Sequence, residues 1–353
     1  MTHSLPLRLP ATRAAFQRAL RAWYRTHHRR LPWRATPSLY RTVVSEFMLQ
    51  QTRVKTVLPY FERWQRELPD FPALAAAPGV QVLKLWEGLG YYARARRLHR
   101  LARAIAALSA PPRTPEAWRA LPGVGPYTAA AITSLAFGSP AACVDGNVVR
   151  VLARLTADGT VFRDSASAVR HFQPLASTLL DRRDPGTHNQ ALMELGAMVC
   201  TPRHPNCPAC PVRRFCVAAD RGEPGDYPRV ARREPERREV LRAWCAHRGR
   251  LLLHRAAAGA RRLADLYELP QPSDLGLADA AVRVGPLLLR KRRSIAHLQM
   301  AESIHSLPPA TGQQRGFARR TGLHWVPLAR LDQITLSGPH RRWIEEILRL
   351  RAP

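Results

Sequence analysis

Leu121-Pro-Gly-Val-Gly-Pro-Tyr-Thr-Ala-Ala-Ala-Ile132 is the stretch on which the fold turns. It runs from a helix end through a tight glycine hairpin into a new helix. Gly123 and Gly125 permit positive φ and the close approach of another backbone. Backbone N–H groups at such a hairpin, beside a helix N-terminus, make a site for a DNA phosphate. Taken alone, Gly-x-Gly between helices is more often only a turn, and its weight comes from the residues downstream. Asp145-Gly-Asn-Val-Val-Arg150 lies 20 residues past Gly125, after an Ala-rich helix and the Ser139–Pro140 break. An aspartate before Gly-Asn is commonly a helix cap with no part in chemistry.

Outward from the hairpin, the sequence from Ala11 to about Met198 reads as one helix after another. Apolar residues recur at helical spacing, as in Val43, Val44, Phe47 and Met48, and again in Leu98, Leu101, Ile105 and Leu108. Pro- and Gly-bearing turns separate the runs, with Asp70 and Thr114 each placed to cap the next helix. Alternation of β-branched residues is nearly absent, which predicts an all-helical domain.

Past the helices, Cys200, Cys207, Cys210 and Cys216 are spaced C-x6-C-x2-C-x5-C. Four thiolates so close in sequence can converge on one centre, and soft sulfur ligands select zinc or an iron–sulfur cluster. Zinc sites usually pair close cysteines across a longer gap. Here only Cys207 and Cys210 form a close pair, which favours a [4Fe-4S] cluster over zinc. Arg203, His204, Arg213 and Arg214 lie in the same loops, a basic surface for phosphate. Cys143 and Cys245 stand apart and read as buried core residues.

The balance of charge agrees with a polyanionic partner. The 353 residues carry 55 Lys+Arg against 26 Asp+Glu, a formal charge of +29. Only Lys55, Lys84 and Lys291 are lysines. No run of about 18 apolar residues predicts a membrane span, and Met1–Phe16 lacks the apolar core of a secretory signal. A reduced, cytoplasmic compartment is expected, because a chain of this length needs no disulfide staples.

After Cys216 the character changes. Arg221–Arg238 is rich in Gly, Pro, Arg and Glu and reads as an exposed linker. Strand-like runs at Val240–Ala246, Leu251–His254 and Leu287–Arg290, with a C-terminal helix at Pro339–Leu350, predict a smaller α+β domain. The expected division is 1–220, a linker at 221–237, and 238–353.

The hairpin, Asp145 and the cysteine register together resemble the helix-hairpin-helix DNA glycosylase superfamily, whose iron–sulfur members include endonuclease III. Ser45-Glu-Phe-Met-Leu-Gln-Gln-Thr52 and Gly88-Leu-Gly-Tyr-Tyr-Ala-Arg-Ala-Arg96 resemble its MutY-type adenine DNA glycosylases. The likeness is dense from about Leu31 to Cys216. It implies a monomeric enzyme of base excision repair that removes adenine mispaired with 8-oxoguanine or guanine from double-stranded DNA, after flipping the base out of the stack.

The resemblance also assigns roles. Glu46 sits among apolar neighbours on a helix, where burial raises a carboxyl pKa and keeps the group protonated. It matches the general acid that protonates N7 of adenine. Asp145 matches the carboxylate that steadies the oxocarbenium-like sugar. Asn147 matches its orienting partner, and Tyr127 the hydroxyl beside the sugar. Strand-cleaving relatives carry a lysine where Tyr127 stands, so a monofunctional glycosylase that uses water as nucleophile is expected. Leu31, Trp33, Arg34 and Gln190 match the adenine pocket, Gln190 able to pair bidentately with the base edge. Gln50 and Tyr91 match residues that fill the hole beside the lesion, although Tyr91 and Tyr92 also read as core aromatics.

Arg238–Pro353 resembles the Nudix-like lesion-sensing domain of these enzymes, Leu266-Tyr-Glu-Leu-Pro270 matching its strand and turn. The Nudix hydrolase box is missing, so pyrophosphatase activity is not expected. The family's Phe-Ser-His reader of 8-oxoguanine is matched by Ile295-Ala-His297: His297 is kept, and Ala296 lacks the hydroxyl. One lost hydrogen bond is worth about 0.5–1.5 kcal/mol, a roughly three- to tenfold loss of discrimination, unless Ser294 or Ser303 takes its place. Two other functions compete: a catalytically silent mismatch-binding protein, against which Glu46 and Asp145 together argue, and a lyase acting on oxidised pyrimidines, against which Tyr127 argues.

Overall fold

The computed structural model describes residues 9–231, 234–260, 263–295, 297–307, 316–317 and 319–351. Contacts divide the chain into two units, one of residues 1–75 and 100–232, the other of residues 76–99 and 233–353.

The first unit is helical. Its elements are α1 (Leu9–His27), α2 (Pro32–Ala35), α3 (Leu39–Leu49), α4 (Val54–Glu67) and α5 (Phe71–Ala76). The chain leaves at α6 (Gly79–Leu85) and returns along α7 (Ala93–Ala106), then continues through α8 (Pro115–Arg119), α9 (Pro126–Phe137), α10 (Gly146–Thr156), α11 (Ser165–Leu179), α12 (Pro185–Met198) and the single turn α13 (Val217–Asp220). The predicted starts hold: Asp70 Oδ1 accepts from Ala73 N at 2.8 Å, and Thr114 Oγ1 from Ala117 N at 3.3 Å. On α3, Val43, Val44, Phe47 and Met48 are fully buried. Leu98, Leu101 and Ile105 are buried on α7, whereas Leu108 lies past the helix end and is exposed. Around α10 the core gathers Phe16, Leu20, Leu152, Phe172 and Leu195. Gly196 sets the crossing of α12 with α10, since a Cβ there would lie 2.7 Å from Asn147 Cβ.

The expected linker is only partly exposed. Tyr227 is buried against the helical core. Two short strands, β1 (Val161–Phe162) and β2 (Arg229–Val230), pair in parallel. One buried aromatic ring and a two-residue backbone pairing inside a charged run hold it down.

The second unit is α+β. Its strands are β3 (Glu236–Trp244), β4 (Ala246–His247), β5 (Arg250–Arg255), β6 (Tyr267–Glu268), β7 (Leu287–Ile295), β8 (Leu298–Ser306) and β9 (Leu323–Pro327). One sheet has the order β3-β8-β7, with β3 and β8 parallel and β7 antiparallel to β8; the other joins β4, β5 and β6, with β9 on β5. Short helices α14 (Pro272–Leu275) and α15 (Asp279–Arg283) precede β7, and α16 (Gly338–Leu350) closes the chain. Trp343, Ile344 and Ile347 of α16 enter the core with Trp244, Leu253 and Ile304.

Residues 76–99 group with this unit, which differs from a division at 220. The cause is a set of long-range bonds: Lys84 Nζ to Ile334 O at 3.0 Å, Arg341 Nε to Glu87 Oε1 at 2.7 Å, and Tyr92 Oη to Leu336 O at 3.0 Å.

Candidate active site

Three helix segments of the first unit bring the acid groups together. On α3, Glu46 is buried, 8% exposed, in a helix started by Ser38, whose hydroxyl accepts from Arg41 N at 3.1 Å. Tyr127 stands in the first turn of α9, where Pro126 occupies the first position and needs no N–H partner. Asp145 is the N-cap of α10: one carboxylate oxygen accepts from Val148 N at 2.8 Å and the other from Asn147 Nδ2 at 3.0 Å. The capping role and a place beside Glu46 therefore coexist in one residue.

Burial, the largest cause, pushes the Glu46 carboxyl up to about 7; the Tyr127 hydroxyl bonded to it pulls down, the Asp145 charge pushes up, and Arg34 pulls down weakly. Burial and the same two carboxylates hold the Tyr127 hydroxyl well above its ordinary value. Tyr127 Oη also lies 3.2 Å from Met193 Sδ, so its single proton has two acceptors within reach. A carboxyl lifted to about 7 by burial, beside a carboxylate fixed by two hydrogen bonds, is an arrangement able to donate a proton near neutral pH.

Asn147 is itself held. Arg150 Nη2 donates to Asn147 Oδ1 at 2.9 Å and to Gly196 O at 2.7 Å, while Arg150 Nε donates to Cys200 O at 2.7 Å. The carboxylate, its amide partner and the start of the cysteine loop thus form one hydrogen-bonded chain.

Beside Glu46 lies a polar cluster. Trp33 packs edge-on against Phe61, with centroids 5.1 Å apart, and Leu31 is buried as the N-cap residue of α2. Arg34 Nη2 bonds Glu194 Oε2 at 3.0 Å, and Arg29 reaches both oxygens of the same carboxylate at 2.8 and 2.9 Å. Despite burial these bonds bring Glu194 down to about 2. Tyr24 Oη donates to Gln190 Oε1, so one end of the amide expected to read a base edge is already engaged. Glu194, Arg29, Tyr24 and Arg150 were not singled out from sequence. Glu194 carries the signal that marks Glu46, a carboxylate inside an apolar helix.

Gln50 ends α3, with its Nε2 3.4 Å from Thr128 Oγ1. Tyr91 belongs to the other unit, is 47% exposed and has φ +47°; Tyr92 is the core member of the pair. At the hairpin Gly123 takes φ +78°, whereas Gly125 is extended at φ −91° with open space where a Cβ would stand. Only Gly123 meets the expectation of positive φ. His297 is exposed on the β7–β8 turn, its Nε2 4.0 Å from Glu236 Oε2. Ala296 lies outside the described residues. Ser294 is paired with Gln299 and Ser303 with Arg290 in the β7–β8 register.

The four cysteines of the loop supply the thiolate chemistry that an iron–sulfur cluster takes. None of the four thiols is in a disulfide, and each of the other three raises Cys210 by its proximity, behind the larger effect of burial. Backbone N–H groups of Val212 and Ala219 point at the sulfurs of Cys210 and Cys216, and Arg154 Nη1 lies 3.2 Å from Cys200 Sγ. Donors of this kind stabilise thiolate. Among the described residues no three His, Cys, Asp or Glu side chains are arranged around a single ion. Arg203, His204, Arg213 and Arg214 are exposed on the same loops, and Cys143 and Cys245 are buried.

Comparison with known proteins gives the class first. Residues 44–171 match the HhH-GPD superfamily of base excision DNA repair proteins. Among solved structures, a thermostable thymine-DNA glycosylase is similar at TM-score 0.52 and 29% identity, covering 60% of this chain and 98% of that one. The adenine DNA glycosylase of Mycobacterium tuberculosis is 41% identical over 208 residues, 58% of this chain and 68% of its own. That of Rattus norvegicus is 46% identical over 218 residues, 59% of this chain and 42% of its own, so the match spans less than half the length of the rat relative. The chain belongs to the adenine DNA glycosylase family. No helix among the described residues is long and apolar enough to cross a membrane.

Proposed function

We propose that the chain is a monofunctional glycosylase that excises adenine mispaired with 8-oxoguanine or guanine in duplex DNA. The observation that carries the reading is the buried Glu46 carboxyl, bonded to Tyr127 and close enough to Asp145 to feel its charge. A flipped adenine receives the Glu46 proton at N7 and becomes a neutral leaving group. The Asp145 carboxylate, fixed by Val148 N and Asn147, stabilises the sugar cation until water adds. Leu31, Trp33 and Arg34 frame the base, Arg34 being anchored on Glu194.

Among the described residues of the helical unit, no lysine lies beside Glu46 and Asp145. Tyr127 occupies the position beside Glu46, and Lys55, the only lysine of the helical unit, is exposed on α4. A [4Fe-4S] cluster on Cys200, Cys207, Cys210 and Cys216 would serve as a structural staple, holding the basic loop and, through Cys200 O, Arg150. The C-terminal unit is read as the Nudix-like lesion sensor, presenting His297 on an exposed turn.

The test is incubation with duplexes holding A opposite 8-oxoguanine, A opposite G, or thymine glycol, followed by alkali. Cleavage is expected only in the adenine strand, only after alkali, and not with Glu46→Gln. Strand cleavage without alkali, or high-yield covalent trapping by borohydride, refutes the monofunctional reading.

A further inference from the structure

The two faces of the β3-β8-β7 sheet carry their charges differently. On the face covered by α16, each cation has a carboxylate. Arg242 and Arg293 share the buried Glu302, Lys291 meets Glu346 at 2.9 Å, and at the strand end Arg238 meets Glu236 at 2.7 Å. On the opposite face the balance fails. Arg237 of β3 and Arg290 and Arg292 of β7 are exposed there, with Arg283 of α15 at the border. A single carboxylate answers them: Glu239 stands between Arg283 and Arg290, 3.8 Å from each and too far for a hydrogen bond. Among the described residues no carboxylate lies within 4 Å of Arg237 or Arg292.

This face is also concave. A cavity of about 210 Å³ opens beside Glu239, Arg283 and Arg290, with Ser303 and His305 of β8 on its floor. His305 Nδ1 donates to Gly285 O at 2.9 Å, since a carbonyl can only accept, and this fixes the ring. Along β7 the same-face residues Arg290 and Arg292 stand about 7 Å apart, two strand residues. The row leads along the β7–β8 hairpin to the turn that bears His297.

We propose that the exposed end of this face, beyond the part packed by Leu275, Val282 and Phe317, docks the sugar-phosphate backbone of DNA, with Arg283 and Arg290 clasping one phosphate in the cavity and Arg292 and Arg237 meeting further phosphates along the strand. Glu239 bridges the two guanidiniums until a phosphate takes its place. The proposal rests on the reading that the chain acts on DNA. It adds a sequence-independent contact that the base-reading turn does not supply.

The test is the salt dependence of duplex binding by the full-length protein. Each phosphate contact contributes about 0.9 to the slope of log affinity against log salt. Arg290→Ala with Arg292→Ala should therefore flatten the slope by about 1.8, equally for matched and mispaired duplexes. Over a fourfold rise in salt the wild type then loses about tenfold more affinity than the variant. Lysine at both positions should restore the slope. Glu239→Gln should tighten binding about threefold, in the range of an exposed ion pair. Arg238→Gln with Lys291→Gln removes the same net charge from the paired face and should leave the slope as in wild type.

Equal flattening by both double variants would show bulk charge at work and overturn the proposal. So would an unchanged slope in the Arg290/Arg292 variant. A saturable rise in melting temperature with inorganic phosphate, lost in that variant while the DNA slope is unchanged, would assign the cavity to a small anion and likewise overturn it. Adenine excision at saturating enzyme is measured alongside: if excision is absent while the slopes behave as expected, the proposed activity fails and the docking face stands.

Discussion

Replacing Glu46 by glutamine separates the chemistry of this carboxyl from its cost to the fold. The group moves from its ordinary 4.5 to about 7 in the folded chain. Below pH 4.5 both states hold the proton, and the residue contributes nothing to pH dependence. Between 4.5 and 7 the unfolded chain releases the proton while the fold retains it, so stability falls as pH rises. At about 1.4 kcal/mol per pH unit, the loss is roughly 3 kcal/mol by pH 7 and constant above. Glutamine does not titrate and keeps the shape. The difference in unfolding free energy, glutamine minus wild type, should therefore shift by about 3 kcal/mol in favour of glutamine between pH 4.5 and 8. Denaturant unfolding followed by far-ultraviolet circular dichroism at several pH values gives this difference, and the pH-independent effect of the substitution cancels. The same variant should lose about 10²- to 10⁴-fold in excision rate. A difference that is flat with pH would mean that Glu46 titrates as an ordinary carboxylate, and the reasoning fails.

Tyr127→Phe removes the hydroxyl that pulls Glu46 down, so the alkaline limb of the excision rate should move to higher pH in single-turnover profiles. Glu194→Gln should destabilise the helical unit by about 3 kcal/mol at neutral pH; that stability is present above pH 4.5 in the wild type and is lost as pH falls toward 2, which acid unfolding of both proteins checks. Gly196→Ala drives a Cβ to 2.7 Å from Asn147 Cβ and should cost about 1–3 kcal/mol in denaturant unfolding. Because Asn147 orients Asp145, it should also lower the excision rate with little change in substrate affinity. Cys207→Ser should abolish the broad visible absorption of the purified protein and weaken DNA binding; stoichiometric zinc in the wild type would contradict the cluster.

Local signals carried most of the helical unit. Asp70, Thr114 and the buried stripe of α3 lie where periodicity and capping rules put them. What stayed hidden depends on partners distant in sequence. Strand β8 alternates Leu298, Met300, Glu302 and Ile304 on one face, and the glutamate at a core position disguises the pattern because its partners are Arg242 and Arg293. Residues 76–99 read as part of the helical domain until Glu87 and Tyr92 are seen to hold Arg341 and Leu336. At the site, Glu46, Tyr127, Asp145 and Asn147 were legible as a motif. The Arg29–Glu194–Arg34 cluster and the span of Arg150 from Asn147 to Cys200 are contacts between helices. Tyr91 and Tyr92, adjacent and alike in sequence, divide into one exposed and one buried ring, the Tyr92 hydroxyl donating to Leu336 O and accepting from Gly88 N.

The central claim is that Glu46 gives up a proton. Single-turnover excision of adenine opposite 8-oxoguanine, measured from pH 5 to 9 at saturating enzyme, tests it directly. The account predicts a plateau below about pH 7 and a roughly tenfold fall per pH unit above it, with the fall missing from the residual rate of Glu46→Gln. A rate that climbs as pH rises through 7 would require the ionised carboxylate and would contradict the mechanism.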